Sequence, residues 1–177
     1  PLLAIPFFLL VGRLMNIGGI TDRIYTFCSV LIGHVRGGLA HVNILGSMVF
    51  AGMTGSAVSD AVGLGQMEIK AMTDQGYDRK FAAATTAASA TIGPIIPPSI
   101  PMVLYGVLGN VSVGALFIGG IIPGVMMGLF MMAVVATIAK RRGFPLQKRA
   151  TVGQIVRGSY RAALPLLSPV ILIGGIW

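Results

Sequence analysis

Charge is the scarcest commodity in this chain. Of 177 residues only 10% are charged, against 55% hydrophobic. Soluble domains carry roughly 25% charged residues, so a fold this poor in charge could not cover a water-facing surface. Lipid as the outer solvent removes the conflict. Aromatic residues are also few, at 7%. A single cysteine, Cys28, excludes an internal disulfide and a cysteine-based metal cluster. Acidic residues number only 5, against 13 Lys and Arg, for a net charge of +8. In a soluble protein that imbalance would suggest nucleic acid. Here the basic residues sit mostly between apolar segments, where they set topology and meet lipid headgroups, so a membrane lipid partner and no nucleic acid are expected.

What the chain does hold in quantity is small and helix-breaking residues, with 25 Gly and 10 Pro. Both are more frequent in membrane helices than in soluble ones. The stretch from Val111 to Ala139 carries no formal charge and exceeds the roughly 20 residues needed to span a bilayer. The expected class is an all-α polytopic membrane protein. Starting at Pro1 and stopping at Trp177 inside an apolar run, it reads as a piece of a longer chain.

The pattern divides into five parts. Residues 1–42 hold two opening helices: an apolar segment interrupted by Arg13 and ended by Gly18-Gly19, then a mixed helix from about Arg23 to Leu39, capped by Thr21-Asp22. Residues 43–73 read as a re-entrant helical hairpin, two short apolar arms around the polar centre Thr54-Gly55-Ser56-Ala57-Val58-Ser59-Asp60. Non-helical backbone at membrane depth is tolerated only when protein shields it or water reaches it. Residues 79–108 read as a broken helix, because four prolines between Pro94 and Pro101 cannot lie in one regular helix. Residues 113–139 form a full span. Residues 151–161 suggest an interfacial helix, and a new span starts at Ala162, so that 151–177 covers both. The densest basic cluster, 140–149, is assigned to the cytoplasm. That puts the connector 70–80 inside and the uncharged turn 109–112 outside.

Two constellations could carry chemistry. At the first, Thr54, Ser56 and Ser59 surround Gly55, and Asp60 is the acidic residue inside the apolar stretch. An ionisable group at that depth points to function by default; Asp60 could equally cap the second arm, and the hydroxyls could bond their own backbone. The second comprises Thr91, Gly93, Pro94, Pro97 and Ser99. Hard cations need several oxygen ligands, and unwound backbone supplies carbonyls. Two discontinuous segments so close in sequence mark a transporter site. Thr54, Gly55, Ser56, Ser59, Asp60, Thr91, Gly93, Pro97 and Ser99 are therefore the candidate Na⁺ or substrate segments. Other signals are weak. Gly63-Leu64-Gly65 lacks the rest of a dinucleotide fingerprint. His34 and His41, seven apart on nearly one helix face, lack a third metal ligand. No nucleophile elbow surrounds Ser56, so an enzyme is not expected, nor is a cofactor.

Gly52-Met53-Thr54-Gly55-Ser56-Ala57-Val58-Ser59-Asp60 and Ala90-Thr91-Ile92-Gly93-Pro94-Ile95-Ile96-Pro97-Pro98-Ser99-Ile100-Pro101 resemble the large membrane subunit of the tripartite ATP-independent periplasmic (TRAP) transporters. Arg36-Gly37-Gly38-Leu39-Ala40, Gly76-Tyr77-Asp78, Gly114-Ala115-Leu116-Phe117 and Pro123-Gly124 add to the likeness, which covers essentially the whole chain. The resemblance implies an elevator-type fold of two inverted repeats, of which this chain is most of the first. It implies Na⁺ as coupling ion, a small membrane subunit and a periplasmic substrate-binding protein as partners, a small organic acid as substrate, and a multi-pass place in the inner membrane. The alternative is a non-catalytic, channel-like or scaffold subunit that only packs against a transporter.

Overall fold

The computed structural model describes residues 4–144 and 149–174. It holds eight helices and, among the described residues, no strand: α1 (Ala4–Ile17), α2 (Ile20–Ile32), α3 (Gly38–Thr54), α4 (Ala57–Asp74), α5 (Arg79–Ala90), α6 (Ile100–Leu108), α7 (Val113–Arg142) and α8 (Val152–Gly174). The apolar helix α7 alone among the described helices is long and apolar enough to cross a membrane. Its 30 residues rise about 45 Å, well beyond a hydrocarbon core of about 30 Å.

Several boundaries differ from those expected. Helix α2 starts at Ile20 behind Gly19, which adopts the left-handed conformation at φ 68 without a side-chain cap. Thr21 and Asp22 are therefore inside the first turn rather than ahead of it. The helix stops at Ile32, not Leu39, because the chain turns through 33–37 and Gly37 takes φ 74. A Cβ on Gly38 would lie 1.9 Å from the Gly33 carbonyl oxygen, so the turn closes only around glycine. This separates the two histidines. His34 is in the turn, while His41 lies on α3 with Nδ1 3.0 Å from the Gly37 carbonyl. They do not share a helix face.

Helix α3 begins at Gly38, earlier than the expected hairpin, and α7 continues to Arg142. Its last turn holds Lys140, Arg141 and Arg142, where cations complement the helix dipole. Helix α8 runs from Val152 to Gly174 without an interruption near Ala162, so the two pieces expected there are one helix.

Helices α3 and α4 form an antiparallel pair turning at Gly55-Ser56. Gly46 of α3 packs on Leu64 and Glu68 of α4. Both open ends of this pair lie at the C-terminal end of α7. Gly37 packs on Ala139, and Tyr77 stacks on Phe144 with ring centroids 4.5 Å apart. Phe81 joins that stack at 5.0 Å from Phe144, and the Arg142 guanidinium lies 5.7 Å from the Phe81 ring centre. Arg36, Arg79, Lys80 and the Lys140–Arg142 cluster thus gather at one end of the molecule. Further along α7, Gly128 meets Met48, Gly124 meets Ile96 and Gly120 meets the Ile95 carbonyl. Met48 lies opposite Gly128, fourteen residues before Arg142, and the tip at Gly55 is seven residues beyond Met48, so the pair turns back roughly 30 Å from the basic end.

Close approach sets the packing of α3, α4 and α5. A Cβ on Gly65 of α4 would fall 2.5 Å from Thr86 Cγ2 of α5. Gly65→Val should push these helices apart and lower stability by about 1–3 kcal/mol, as overpacking does. A fall in the unfolding midpoint of the detergent-solubilised protein checks this. An unchanged midpoint would mean that the α4–α5 contact is looser than the geometry requires.

Candidate functional site

The two interruptions meet backbone to backbone. At the first, α3 ends at Thr54 and Gly55 turns the chain at φ 58, its N–H donating to the Ala51 carbonyl at 3.0 Å. Ser56 is extended and caps α4, its Oγ accepting from the Ser59 N–H at 3.4 Å. At the second, α5 ends at Ala90 and the chain winds through 91–99. The Pro97–Pro98 peptide bond is cis. Ser99 is fully buried and caps α6. Its Oγ donates to the Pro94 carbonyl at 2.6 Å and accepts from the Met102 N–H at 3.2 Å. Pro101 falls inside the first turn of α6, where an absent N–H leaves nothing unsatisfied.

Contact between the two is intimate. The Ile100 N–H donates to the Gly55 carbonyl at 3.3 Å. A Cβ on Gly55 would lie 2.3 Å from the Pro98 carbonyl oxygen, and one on Gly93 would lie 3.1 Å from the Ser56 carbonyl carbon. Four helix ends therefore converge: the C-termini of α3 and α5 and the N-termini of α4 and α6. The first two present partial negative charge, the second two partial positive charge. Such a junction suits a cation at one pair of ends and an anion at the other.

The structure brings Thr54, Gly55, Ser56, Gly93, Pro97 and Ser99 to this junction, though several hydroxyls serve the backbone. Thr54 Oγ1 donates to the Phe50 carbonyl at 3.3 Å. Thr91 is exposed and its Oγ1 donates to the Ala88 carbonyl at 2.6 Å. Donating a proton leaves each hydroxyl oxygen with lone pairs for a cation. Asp60 does not cap α4 with its side chain, because Ser56 does so. It sits one turn in, 2% exposed, on the face toward α3, where Ser47 is close enough to act on the carboxylate although no contact meets strict hydrogen-bond geometry.

Three features escaped the sequence reading. One is a polar layer between α3 and α5. Asn43 Nδ2 donates to Thr86 Oγ1 at 2.7 Å, Ser47 donates to Ser89 Oγ at 3.0 Å, and Ser89 donates to Asn43 Oδ1 at 2.7 Å. Its only trace in the sequence is the spacing of four between Asn43 and Ser47 and of three between Thr86 and Ser89, each pair on one helix face. The second is Glu68, 1% exposed and unpartnered like Asp60, so Asp60 is not alone as a buried acid. The third is Arg13. It lines a groove of about 650 Å³ together with Leu9, Gly12, Val58 and Ser59. Helix α1 reaches this place because Gly12 packs against Thr54. A cation thus stands beside the first turn of α4, although neither interrupted motif contains one.

Interrupted helices whose ends meet inside an all-helical membrane protein fit the class of transport proteins. The family model described as "Tripartite ATP-independent periplasmic transporter, DctM component" matches residues 1–177, and the chain belongs to this family of transporter permeases, which are not enzymes. It is 52% identical over 177 residues to the sialic acid TRAP transporter permease protein SiaT of Haemophilus influenzae, covering 100% of this chain and 29% of that protein. Identity to the sialic acid TRAP transporter large permease protein SiaM of Vibrio cholerae is 51% over 176 residues, 99% of this chain and 41% of the relative. For the C4-dicarboxylate TRAP transporter large permease protein DctM of Pseudomonas aeruginosa it is 39% over 176 residues, again 99% and 41%. The chain thus spans well under half the length of these relatives.

Gly55→Ala tests the junction. The substitution adds left-handed strain of about 1–2 kcal/mol and drives a methyl into Pro98. Uptake by the complete transporter should fall by at least about tenfold, with the protein still reaching the membrane. Uptake at the parental level would show that the Gly55–Pro98 contact is dispensable.

Proposed function

We propose that this chain is the first-repeat portion of the large membrane subunit of a Na⁺-coupled importer of small organic acids. The observation that carries the reading is the four-ended junction of Gly55-Ser56 with 93–99. Na⁺ would bind where α3 and α5 end, using carbonyl oxygens with the hydroxyls of Thr54, Ser56 and Ser99. Neither segment alone offers enough oxygens, so the site is shared. Ser59, Asp60, Thr91, Gly93 and Pro97 shape its surroundings. The organic acid would lie on the other side of the tip, in the groove where Arg13 and Ser59 flank the first turn of α4. Arginine and a helix N-terminus both favour a carboxylate. That substrate class is supported by the names of the relatives, whose substrates are sialic acid and C4-dicarboxylates. A periplasmic binding protein would deliver the acid, and a small membrane subunit would complete the permease. A second, inverted repeat would supply the other half of an elevator-type transport domain.

The protein would sit in the inner membrane and cross it more than once. Its basic end, with Arg36, 70–80 and 140–149, would face the cytoplasm, and 109–112 the periplasm. Residues 43–73 would then enter and leave on the cytoplasmic side. This orientation is supported by the packing of both hairpin ends against the basic end of α7. Cysteine labelling in a Cys28-free background reads it directly. An impermeant reagent applied to intact spheroplasts should modify a cysteine at position 110 and not one at 76. The reverse pattern would invert the assignment.

Ser56→Ala and Ser99→Ala test the ion site. Each removes a helix cap, lowering stability by about 1 kcal/mol. If the hydroxyls also bind Na⁺, half-maximal uptake should need several-fold more Na⁺, roughly 1 kcal/mol of lost affinity per ligand. Unchanged Na⁺ dependence in both single variants and the double variant would remove these side chains from the ligand set.

A further inference from the structure

Glu68 is the sole glutamate of the chain and lies in the second turn from the end of α4, eight residues beyond Asp60. It is 1% exposed, and neither carboxylate oxygen has a hydrogen-bond partner. The side chain reaches α3 at Gly46, where even a Cβ would fall 2.9 Å from Oε1. Leu64 lines the same spot. Ile24, Cys28, Val42, Phe50, Met53 and Leu64 make the core between α2, α3 and α4 apolar.

The groups that could compensate a charge at Glu68 are accounted for. On its own helix the electrostatic neighbour is Asp60, which repels a second negative charge. From α2 it faces Tyr25 and Cys28, neither of them cationic. On α3, His41 turns toward α7, lining a groove with Arg36, Met132 and Lys140, with Nδ1 at the Gly37 carbonyl. On α5, Arg79 and Lys80 are exposed. Lys70, two residues along α4, is in an exposed ion pair with Asp74 at 2.6 Å, the one ion pair among the described residues. The nearby hydroxyls and amide of Asn43, Ser47, Thr86 and Ser89 are bonded to one another. A hard cation would need several oxygens, and the other unpartnered carboxylate among the described residues, Asp60, lies eight residues or about 12 Å back along α4, too far to complete a coordination shell at Glu68. An isolated buried carboxylate is far more costly than the neutral acid, and the group takes up a proton instead.

We propose that Glu68 is a resident proton site, a neutral carboxylic acid held between α2, α3 and α4 and distinct from the ion site at the hairpin tip. The proton stays with Glu68 whether or not Na⁺ is bound. The hairpin then carries no charge at this position, and a neutral amide of the same shape can replace the acid.

The test uses the complete transporter with its small subunit. Infrared difference spectra between the parent and Glu68→Gln should show the carbonyl stretch of a protonated carboxylic acid, present with and without Na⁺ and lost in the variant. In proteoliposomes, Glu68→Gln should keep the Na⁺ concentration for half-maximal uptake within about twofold of the parent. A carboxylate signature in place of the acid band overturns the proposal, whether the balancing charge is a bound cation or a basic side chain from elsewhere in the assembly. So does a several-fold rise in the Na⁺ requirement. Should Glu68→Gln fail to fold, Glu68→Asp keeps the acid on a shorter stem and should shift the same band; an acid-carbonyl region identical to the parent's overturns the proposal. The spectra report on Glu68 even if the transported ion is not Na⁺.

Discussion

Everything in this chain depends on one constraint: backbone amides and carbonyls inside an apolar solvent must find partners. A helix satisfies them internally along its length but leaves donors at one end and acceptors at the other. Breaking two helices near the same depth doubles the problem, and the structure answers it by placing the breaks against each other. Gly55 gives its carbonyl to Ile100, and Ser99 accepts from Met102 while donating to Pro94. Pro101 has no donor to satisfy. The first turn of α6 is thus accounted for residue by residue. Glycine at 55 and 93 is what lets the two backbones come close enough.

The same constraint explains why polar side chains lie in two distinct places. At the junction, hydroxyls act as caps and leave lone pairs over. Between α3 and α5, an open relay of hydrogen bonds runs from Ser47 through Ser89 and Asn43 to Thr86. That layer binds the hairpin to the broken helix along α3, from Asn43 to Ser47, and reaches the end of α5 at Ser89. Glu68 is outside both arrangements, whereas Asp60 faces the Ser47 end of the polar layer.

Much of the architecture was legible because helix breakers are local signals. Gly55, the proline run and the Gly18-Gly19 pair each mark an interruption that needs no tertiary information. The uncharged run in α7 marks a helix long and apolar enough to cross a membrane for the same reason. Misreadings came where one residue type serves two purposes. Thr21-Asp22 looks like a cap, but Gly19 had already turned the chain. Gly37-Gly38 passed as helix because neighbouring apolar residues kept the period going, yet the contact with the Gly33 carbonyl leaves room only for a turn. Glu68 gives no such signal, because it stands at the edge of the polar connector 70–80 and only its packing against Gly46 shows that it is buried. That the tip meets the proline break is a long-range fact that no spacing encodes. Arg13 belongs with these, since its place beside Ser59 depends on Gly12 meeting Thr54.

One bond at the junction has a further use. The Ile100 amide is the single backbone donor of α6 that reaches across to the hairpin, and its 3.3 Å separation is long for such a bond. Any excursion that lifts the tip from the proline break releases that hydrogen to solvent, while the amides deeper in α5 and α6 stay locked in their own helices. Deuterium uptake at this one position, beside silent neighbours, would therefore time how often the two halves of the junction part.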